Sequence, residues 1–380
     1  MKKCFLITVL AIAAALVQGQ DNPGLASDFF PIAVWAQNPA NAAAYKENGI
    51  NLFVGIPRGL NEENLDYLRK ADMKVIAHQN DFGLAHLQEG LIYGWMHGDE
   101  PDNAQRSKTG KGWDPCRDPE VIITDYEKIK QNDPSRPVYL NVGRGVAYTN
   151  WVGRGACRGK TDMYKVSENG YLKGADIVSF DIYPVNSGEA DARGQLWYVA
   201  KGIDNLQAWT GYRKPAWCWI ETTQISAKAE RKPTPAEVRS EVWMALIHGA
   251  KGIGYFCHSF GDKTDDAALL HDPEMIRGVK AINAEVTSLA RVLNSPDTSG
   301  YATVECDDPT IPVDVLTKED GKSSYIFAIG MREGATTATF TVKHGKKVEV
   351  IGENRTIRIK NHRFTDAFSS YGVHLYRVRG

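Results

Sequence analysis

The feature that most constrains the fold is a rhythm of eight apolar runs, each followed by a polar turn and an amphipathic segment. The runs lie at Phe29–Gln37, Ile50–Pro57, Met73–Asn80, Ile92–Met96, Arg136–Val142, Ala175–Val185, Lys214–Gln224 and Gly252–Phe260. The segment Asn61–Ala71 places leucines on one face and charges elsewhere, as a helix that covers a sheet does. Eight such units over about 265 residues predict a (β/α)8 TIM barrel.

A doubly wound open sheet is the main alternative fold. It would require a phosphate-binding glycine loop directly after the first strand. The first run instead ends in Val34-Trp35-Ala36-Gln37-Asn38-Pro39, which contains no glycine. The glycines between Gly143 and Gly155 match neither a Walker loop nor the dinucleotide fingerprint, so they indicate a long loop after strand five.

The two ends of the chain differ from this central region in their pattern of apolar and polar residues. Lys2 and Lys3 precede the apolar run Phe5–Val17, which predicts a signal peptide over residues 1–19 and a secreted or periplasmic protein. After Pro296, short alternating runs separated by turn residues predict a small β-sandwich-like domain over residues 298–380. These runs are Tyr325–Ile329, Thr337–Val342, Lys347–Ile351, Arg355–Ile359 and Val373–Val378. The barrel is therefore expected at residues 27–295, and a structural role is expected for the last domain.

Charge and cysteine spacing exclude several classes of function. A formal net charge of −1 argues against nucleic acid or an anionic membrane surface as the main partner. The cysteines match no zinc pattern, so we expect neither a metal site nor a cofactor. Cys116 and Cys157 lie in polar loops where a disulfide is an open alternative, whereas Cys218 and Cys257 lie in apolar runs and should be buried.

Two glutamates end apolar runs at equivalent places. The fourth run continues as I-Y-G-W-M-H-G-D-E-P-D-N, and Pro101 stops it directly after Asp99 and Glu100. The seventh run ends at Glu221. The carboxyl ends of all eight strands of a parallel barrel share one mouth, so Glu100 and Glu221 should face each other across it. Two facing carboxyls are what acid/base hydrolysis of an acetal requires.

With these residues the chain resembles the large clan of retaining glycoside hydrolases built on a (β/α)8 barrel. The resemblance covers the whole barrel, and a small β-domain after the barrel is common in that clan. It implies that Glu100 is the general acid/base and that Glu221 is the nucleophile. It also implies that Tyr183 hydrogen-bonds the nucleophile.

Two positions depart from the clan's pattern. Asp99 stands where the clan has an asparagine that contacts the sugar 2-hydroxyl, and His258 stands where it usually has an aromatic residue. Other polar and aromatic residues at the strand ends are candidates for binding substrate. The full set of substrate-binding candidates is Trp35, Arg58, Asn80, His97, Asp99, Asn141, Asp181, Tyr183 and His258.

The sequence thus predicts a secreted glycoside hydrolase that cleaves a polysaccharide or oligosaccharide with retention through Glu100 and Glu221. Its partner would be a carbohydrate substrate, without nucleic acid and without a membrane span. Two alternatives remain open at this stage. One is a barrel that binds glycans without cleaving them, and the other is an inverting hydrolase of the same fold that uses Asp99 or Asp181.

Overall fold

The computed structural model describes residues 21–107, 109–150, 161–261 and 263–379, and it confirms the predicted barrel. Eight parallel strands, β1 to β8, are hydrogen-bonded in chain order, and β8 closes onto β1. Their bounds are Ile32–Trp35, Leu52–Val54, Lys74–Ala77, Ile92–Met96, Val138–Val142, Ile177–Asp181, Ala216–Glu221 and Gly252–Phe256. Every predicted apolar run therefore contributes one strand.

Helices cover the outside of the barrel. α1 to α8 span Ala42–Glu47, Glu62–Lys70, Asp81–Ala85, Pro119–Asn132, Tyr198–Thr210, Pro235–Ile247, Pro273–Ser288 and Ala290–Leu293. α6 begins with a complete capping box, in which Thr234 and Glu237 exchange hydrogen bonds, and Pro235 occupies its first turn. The buried apolar faces of these helices pack on the outward side chains of the strands.

Large aromatic side chains fill the inside of the barrel. Trp217 and Trp219 on β7 are both about 1% exposed and join Tyr139 in the interior cluster. The neighbouring strand β8 carries Gly252 and Gly254 opposite them, and a Cβ on Gly254 would lie 2.1 Å from the Trp219 ring. The two tryptophans thus belong to the core, and the glycines provide the space that they occupy.

The chain after the barrel forms two packed antiparallel sheets, as expected. Its strands β9 to β16 span Ala302–Cys306, Val313–Asp320, Ser323–Gly330, Thr336–Val342, Lys347–Val350, Arg355–Arg358, Arg363–Phe368 and Val373–Arg379. One sheet has the order β9-β12-β15 and the other β10-β11-β16-β13-β14. The sequence did not predict β9, β10 and β15.

The C-terminal domain shares a hydrophobic core with the barrel. Phe327 packs its ring 5.2 Å from that of Trp243 on α6, and Leu375 belongs to the same buried cluster. The Ser240 hydroxyl on α6 donates a hydrogen bond to the Tyr371 carbonyl at 2.8 Å. This continuous contact is consistent with the structural role expected for the domain.

Some sequence predictions fall on residues outside the described ranges. These are the signal peptide over residues 1–19 and Cys157, the suggested partner of Cys116. Cys218 and Cys257 are fully buried, as predicted. Within the described ranges, none of the helices has the length and apolar composition that crossing a membrane requires.

Candidate active site

A cleft of about 480 Å³ opens at the carboxyl ends of the barrel strands, which is the end where barrel enzymes place their active sites. Its volume falls in the range of about 300–1,000 Å³ that is usual for small-molecule sites. The lining residues are Trp35, Ala36, Asp99, Glu100, Asn141, Asp181, Tyr183, Trp219, Ile225, Phe256, His258 and Phe260. The cleft thus combines three carboxyl groups with a largely aromatic wall.

The turn after β4 supplies two of these carboxyls and a third beneath them. Glu100 has a left-handed backbone with φ of 41°, and its N–H donates to the Asn141 carbonyl at 3.2 Å. Its Oε1 lies 2.8 Å from where a Cβ on residue 143 would be, so Gly143 leaves room for it. Asp102 is buried below and accepts hydrogen bonds from the Gly143 N–H and the Tyr164 hydroxyl. The turn therefore places Asp99 and Glu100 at the cleft and anchors itself through Asp102.

Asn141, at the end of β5, joins the carboxyls of two other strands. Its Nδ2 donates to Asp99 Oδ1 at 3.0 Å and to Asp181 Oδ1 at 3.1 Å. Asp99 is exposed as a whole residue, but its carboxyl group lies inside the cleft against Asn141, and Asp181, the last residue of β6, is half-buried. A single amide group thus holds the carboxyls of β4 and β6 side by side.

A buried hydrogen-bond chain sets the orientation of that amide. The Trp219 indole N–H donates to the Tyr139 hydroxyl at 2.8 Å, and Tyr139 donates to the Ser179 hydroxyl at 2.5 Å. Ser179 in turn donates to Asn141 Oδ1 at 2.7 Å. Because the amide oxygen is engaged from inside the barrel, both hydrogens of Nδ2 are left for the two aspartates.

The cleft raises the proton affinity of these carboxyls. Burial, followed by repulsion from the Glu100 carboxylate, raises the pKa of Asp99 to about 7. Burial and repulsion from Glu100 and Asp99 raise the pKa of Asp181 well above its usual range. Near neutral pH the pair therefore favours holding a proton, and Asp181, the less exposed of the two residues, has the greater desolvation cost in its ionised form.

Aromatic side chains form the opposite wall. Trp35 meets Trp219 edge to face with ring centres 4.8 Å apart, and Tyr183 packs 5.2 Å from Phe256. Phe260 is 51% exposed, which is unusual for so large an apolar side chain. Aromatic faces of this kind pack well against the C–H faces of sugar rings.

Glu221, predicted to be the nucleophile, does not line this cleft. Its side chain is fully buried, and its oxygens accept hydrogen bonds from the N–H groups of Val185 and Asn186 at 2.6 and 2.9 Å. The Asn186 side-chain amide donates a third bond at 2.5 Å. No oxygen of Glu221 is left open toward a substrate, so the geometry contradicts the predicted role. Glu221 instead anchors the loop that follows β6.

A second acid lies behind Glu221. Glu241 on α6 is fully buried, and neither of its oxygens has a donor among the described residues. Burial and the charge of Glu221 raise the pKa of Glu241 well above its usual range, while burial raises the pKa of Glu221 to about 7. Burial beside the Glu221 carboxylate therefore favours the protonated form of Glu241.

Three further candidates from the sequence also lie away from the described cleft. Arg58 pairs with Glu63 on the surface at 3.6 Å, with 70% of its side chain exposed. Asn80 caps α3 by accepting the Gly83 N–H at 2.8 Å. The buried His97 ring contacts the Gly174 carbonyl through Nε2 at 2.7 Å. Each side chain serves the local backbone or the surface, which corrects the prediction that it binds substrate.

The remaining candidates do lie in the cleft, namely Trp35, Glu100, Asp99, Asn141, Asp181, Tyr183 and His258. His258 contacts the Trp35 carbonyl at 3.1 Å and Asp266 at 3.3 Å, so it also ties β8 to β1. Sequence analysis missed Phe256 and Phe260 in the aromatic wall. A run of aromatic residues at the end of the eighth strand was the available signal for them.

The comparisons with known proteins concern the fold. No family model matches the sequence, and no curated protein is similar to it. The crystal structure of AmyP in complex with maltose superposes with a TM-score of 0.56 at 9% identity, over 93% of this chain and 96% of that one. Alpha-galactosidase I from Mortierella vinacea gives a TM-score of 0.53 at 10% identity, over 94% and 98%. At such identities the similarity shows a shared barrel with a C-terminal β-domain.

Proposed function

We propose that this protein is a secreted or periplasmic glycoside hydrolase in which Asp99 and Asp181, rather than Glu100 and Glu221, are the reacting pair. The observation that carries the proposal is the Asn141 amide, which contacts both carboxyls within a cleft walled by aromatic rings. The substrate class is a carbohydrate, and the protein's own side chains supply all groups that the reaction needs.

The spacing of the two carboxyls supports retention of anomeric configuration. Because one nitrogen touches both, Asp99 Oδ1 and Asp181 Oδ1 are at most about 6 Å apart. Retaining enzymes hold their carboxyls roughly 5–5.5 Å apart, whereas inverting enzymes need roughly 6.5–9.5 Å to admit a water molecule. This spacing favours the retaining mechanism predicted from the sequence, with a different pair of residues.

The unequal proton affinities assign the roles in the first step. Asp181 keeps its proton and donates it to the glycosidic oxygen as the bond between that oxygen and the anomeric carbon breaks. Asp99, the more readily ionised of the two, attacks the anomeric carbon and forms a glycosyl ester. The Asn141 amide holds both oxygens in place while the charge moves from Asp99 into the new bond.

The second step returns the enzyme to its starting state. Asp181, now a carboxylate, takes a proton from water as the water oxygen attacks the anomeric carbon. The bond to Asp99 breaks, and its electron pair returns to that carboxylate. Two inversions at one carbon give net retention.

The structural neighbours are compatible with this class of substrate. The AmyP structure contains maltose, and the Mortierella vinacea protein is named an alpha-galactosidase. Both share the barrel and the C-terminal β-domain arrangement at the level of fold.

A glycan screen tests the proposal directly. The protein is incubated with polysaccharides and oligosaccharides from plant, algal and animal sources, and new reducing ends are measured. We expect at least one to be cleaved, with proton NMR showing that the first-formed product keeps the anomeric configuration of the substrate. An inverted product would overturn the assigned mechanism. Binding of glycans without any new reducing ends would instead indicate the non-catalytic alternative.

A substitution at Glu100 tests whether Asp181 or Glu100 is the general acid. If Glu100 acts only as a neighbouring charge, Glu100→Gln removes repulsion and lowers the pKa of Asp99. Since Asp99 must be ionised to attack, the acidic limb of the kcat/KM profile should then move from about pH 7 to lower pH, and activity should persist. If Glu100 were the general acid, as the resemblance implies, the same variant would lose about 100- to 10,000-fold in rate and its basic limb.

A further inference from the structure

The last part of the C-terminal domain concentrates positive charge that the chain as a whole does not show. Residues 343–379 contain nine lysines and arginines and only three acids, whereas the whole chain has a net charge of −1. The nine are Lys343, Lys346, Lys347, Arg355, Arg358, Lys360, Arg363, Arg377 and Arg379. This segment therefore carries a formal charge of +6, and the rest of the chain carries −7.

Strand register arranges three of these cations in one row. Lys347 on β13 lies directly opposite Arg358 on β14. On its other side β13 pairs with β16 through Val348 and Val378, which places Arg379 beside Lys347. Neighbouring strands are about 4.8 Å apart. We call Arg358, Lys347 and Arg379 the cation row.

The cation row is poorly neutralised. Glu349 is the acid on the same face, and its carboxylate already accepts hydrogen bonds of 2.7 and 2.9 Å from the Arg377 guanidinium. Arg379 approaches Glu349 only to 3.8 Å. Among the described residues, none forms an ion pair with Lys347 or Arg358. Like charges directly opposite each other destabilise a sheet, so local folding energetics do not explain this arrangement.

Two members of the cation row, Lys347 and Arg379, line an open groove of about 880 Å³, and Arg358 lies next to Lys347 at its edge. Lys346 and His344 come from the turn before β13, and His362 comes from the turn before β15. Lys346, Lys347 and Arg379 are exposed, so their charges are available to a partner from solvent. An extended polymer with regularly spaced negative groups fits a groove with cations at strand spacing.

We propose that the groove along the cation row binds an anionic polysaccharide, one that carries sulfate or carboxylate groups. The choice of a polysaccharide among polyanions rests on the proposed glycosidase function, because a chain with a sugar cleft in one domain gains effective substrate concentration from a second glycan site. The positive charge of the groove and the regular spacing of its cations favour a polyanion of any kind.

The test measures binding with cleavage prevented. Full-length protein carrying Asp181→Asn is titrated calorimetrically with polygalacturonate, dextran sulfate, neutral dextran and single-stranded DNA. We expect one or both anionic polysaccharides to bind at low salt and to weaken at high salt, and neutral dextran not to bind. Adding Lys347→Gln with Arg358→Gln should weaken binding roughly 2- to 30-fold, since exposed charge pairs contribute roughly 0.2–1 kcal/mol each.

A matched pair of substitutions controls for net charge. Lys280→Gln with Lys322→Gln removes two exposed lysines outside the groove and should leave the affinity unchanged. An equal loss in this control, or no binding of either anionic polysaccharide at low salt, would overturn the proposal. Tighter binding of DNA than of both polysaccharides would assign the groove to nucleic acid instead. Binding with no cleavage in the glycan screen would leave the groove standing while the proposed function failed.

Discussion

Replacing Asp181 by Asn is expected to lower kcat on a natural glycan by about 100- to 10,000-fold, because the leaving oxygen loses its proton donor. The shape of the site changes little, since Asn is isosteric with Asp and the Asn141 contact is on one oxygen only. An aryl glycoside with an acidic phenol needs no proton at its leaving oxygen. The first step on such a substrate should therefore be nearly normal, and a glycosyl ester on Asp99 should accumulate for detection by mass spectrometry.

Replacing Asp99 by Asn should abolish turnover of both kinds of substrate, because no carboxylate is left to attack the anomeric carbon. Added azide distinguishes the role of Asp181 from that of Asp99. In Asp181→Asn it attacks the glycosyl ester and gives a glycosyl azide of retained configuration. In Asp99→Gly, which opens space beside the anomeric carbon, it attacks in a single step and gives the inverted azide.

Asp191→Asn provides the matched control. Asp191 is exposed at the rim, accepts a hydrogen bond from Tyr148 at 2.7 Å and does not line the cleft. Its variant should keep kcat/KM within about threefold, as expected for a surface substitution. Full activity in Asp181→Asn, together with loss of activity in Glu100→Gln, would return the acid role to Glu100.

The barrel was predictable because its signal is periodic and repeated. Eight apolar runs each end in polar residues, and parallel strands must bring those ends to one edge. Asp99, Asn141 and Asp181 were found in this way, since each lies within three residues of the end of its strand. The three unpredicted strands of the last domain lack such a clean pattern. In β10, for example, Val313–Asp320 mixes buried positions with four charged residues.

The role of Glu221 was not predictable from its position. The end of β7 was identified correctly, but the direction of the side chain depends on groups far away in sequence. The Glu221 side chain points into the layer behind the barrel, where its oxygens accept hydrogen bonds from two N–H groups of the loop after β6. Asn80 shows the same limitation, because a residue at a strand end can equally well cap the next helix.

Replacing Glu221 by Ala is expected to destabilise the protein by about 1–3 kcal/mol for each buried N–H group that is left without an acceptor. The N–H groups of Val185 and Asn186 would lose their acceptor, and the loop that carries Tyr183 would lose its anchor. Chemical denaturation measures the change. If Glu221 were the nucleophile, the variant would remain stable, lose turnover and be rescued by azide.

Glu241→Gln is the matched variant. It keeps Glu221 as the anchor of the loop after β6 and removes one of the two groups that can hold the proton. A glutamine at this position is neutral like a protonated Glu241 and of nearly the same shape, so stability at neutral pH should change little. Both acids have a raised pKa in the folded protein, so the folded state binds protons more tightly than the unfolded chain. Their contribution to stability is therefore present at low pH and lost as the pH rises through about 7. Glu241→Gln removes one of the two groups, so the fall in the unfolding free energy as the pH rises above the ordinary carboxyl pKa should become shallower. An unchanged pH dependence would show that Glu241 does not hold the shared proton.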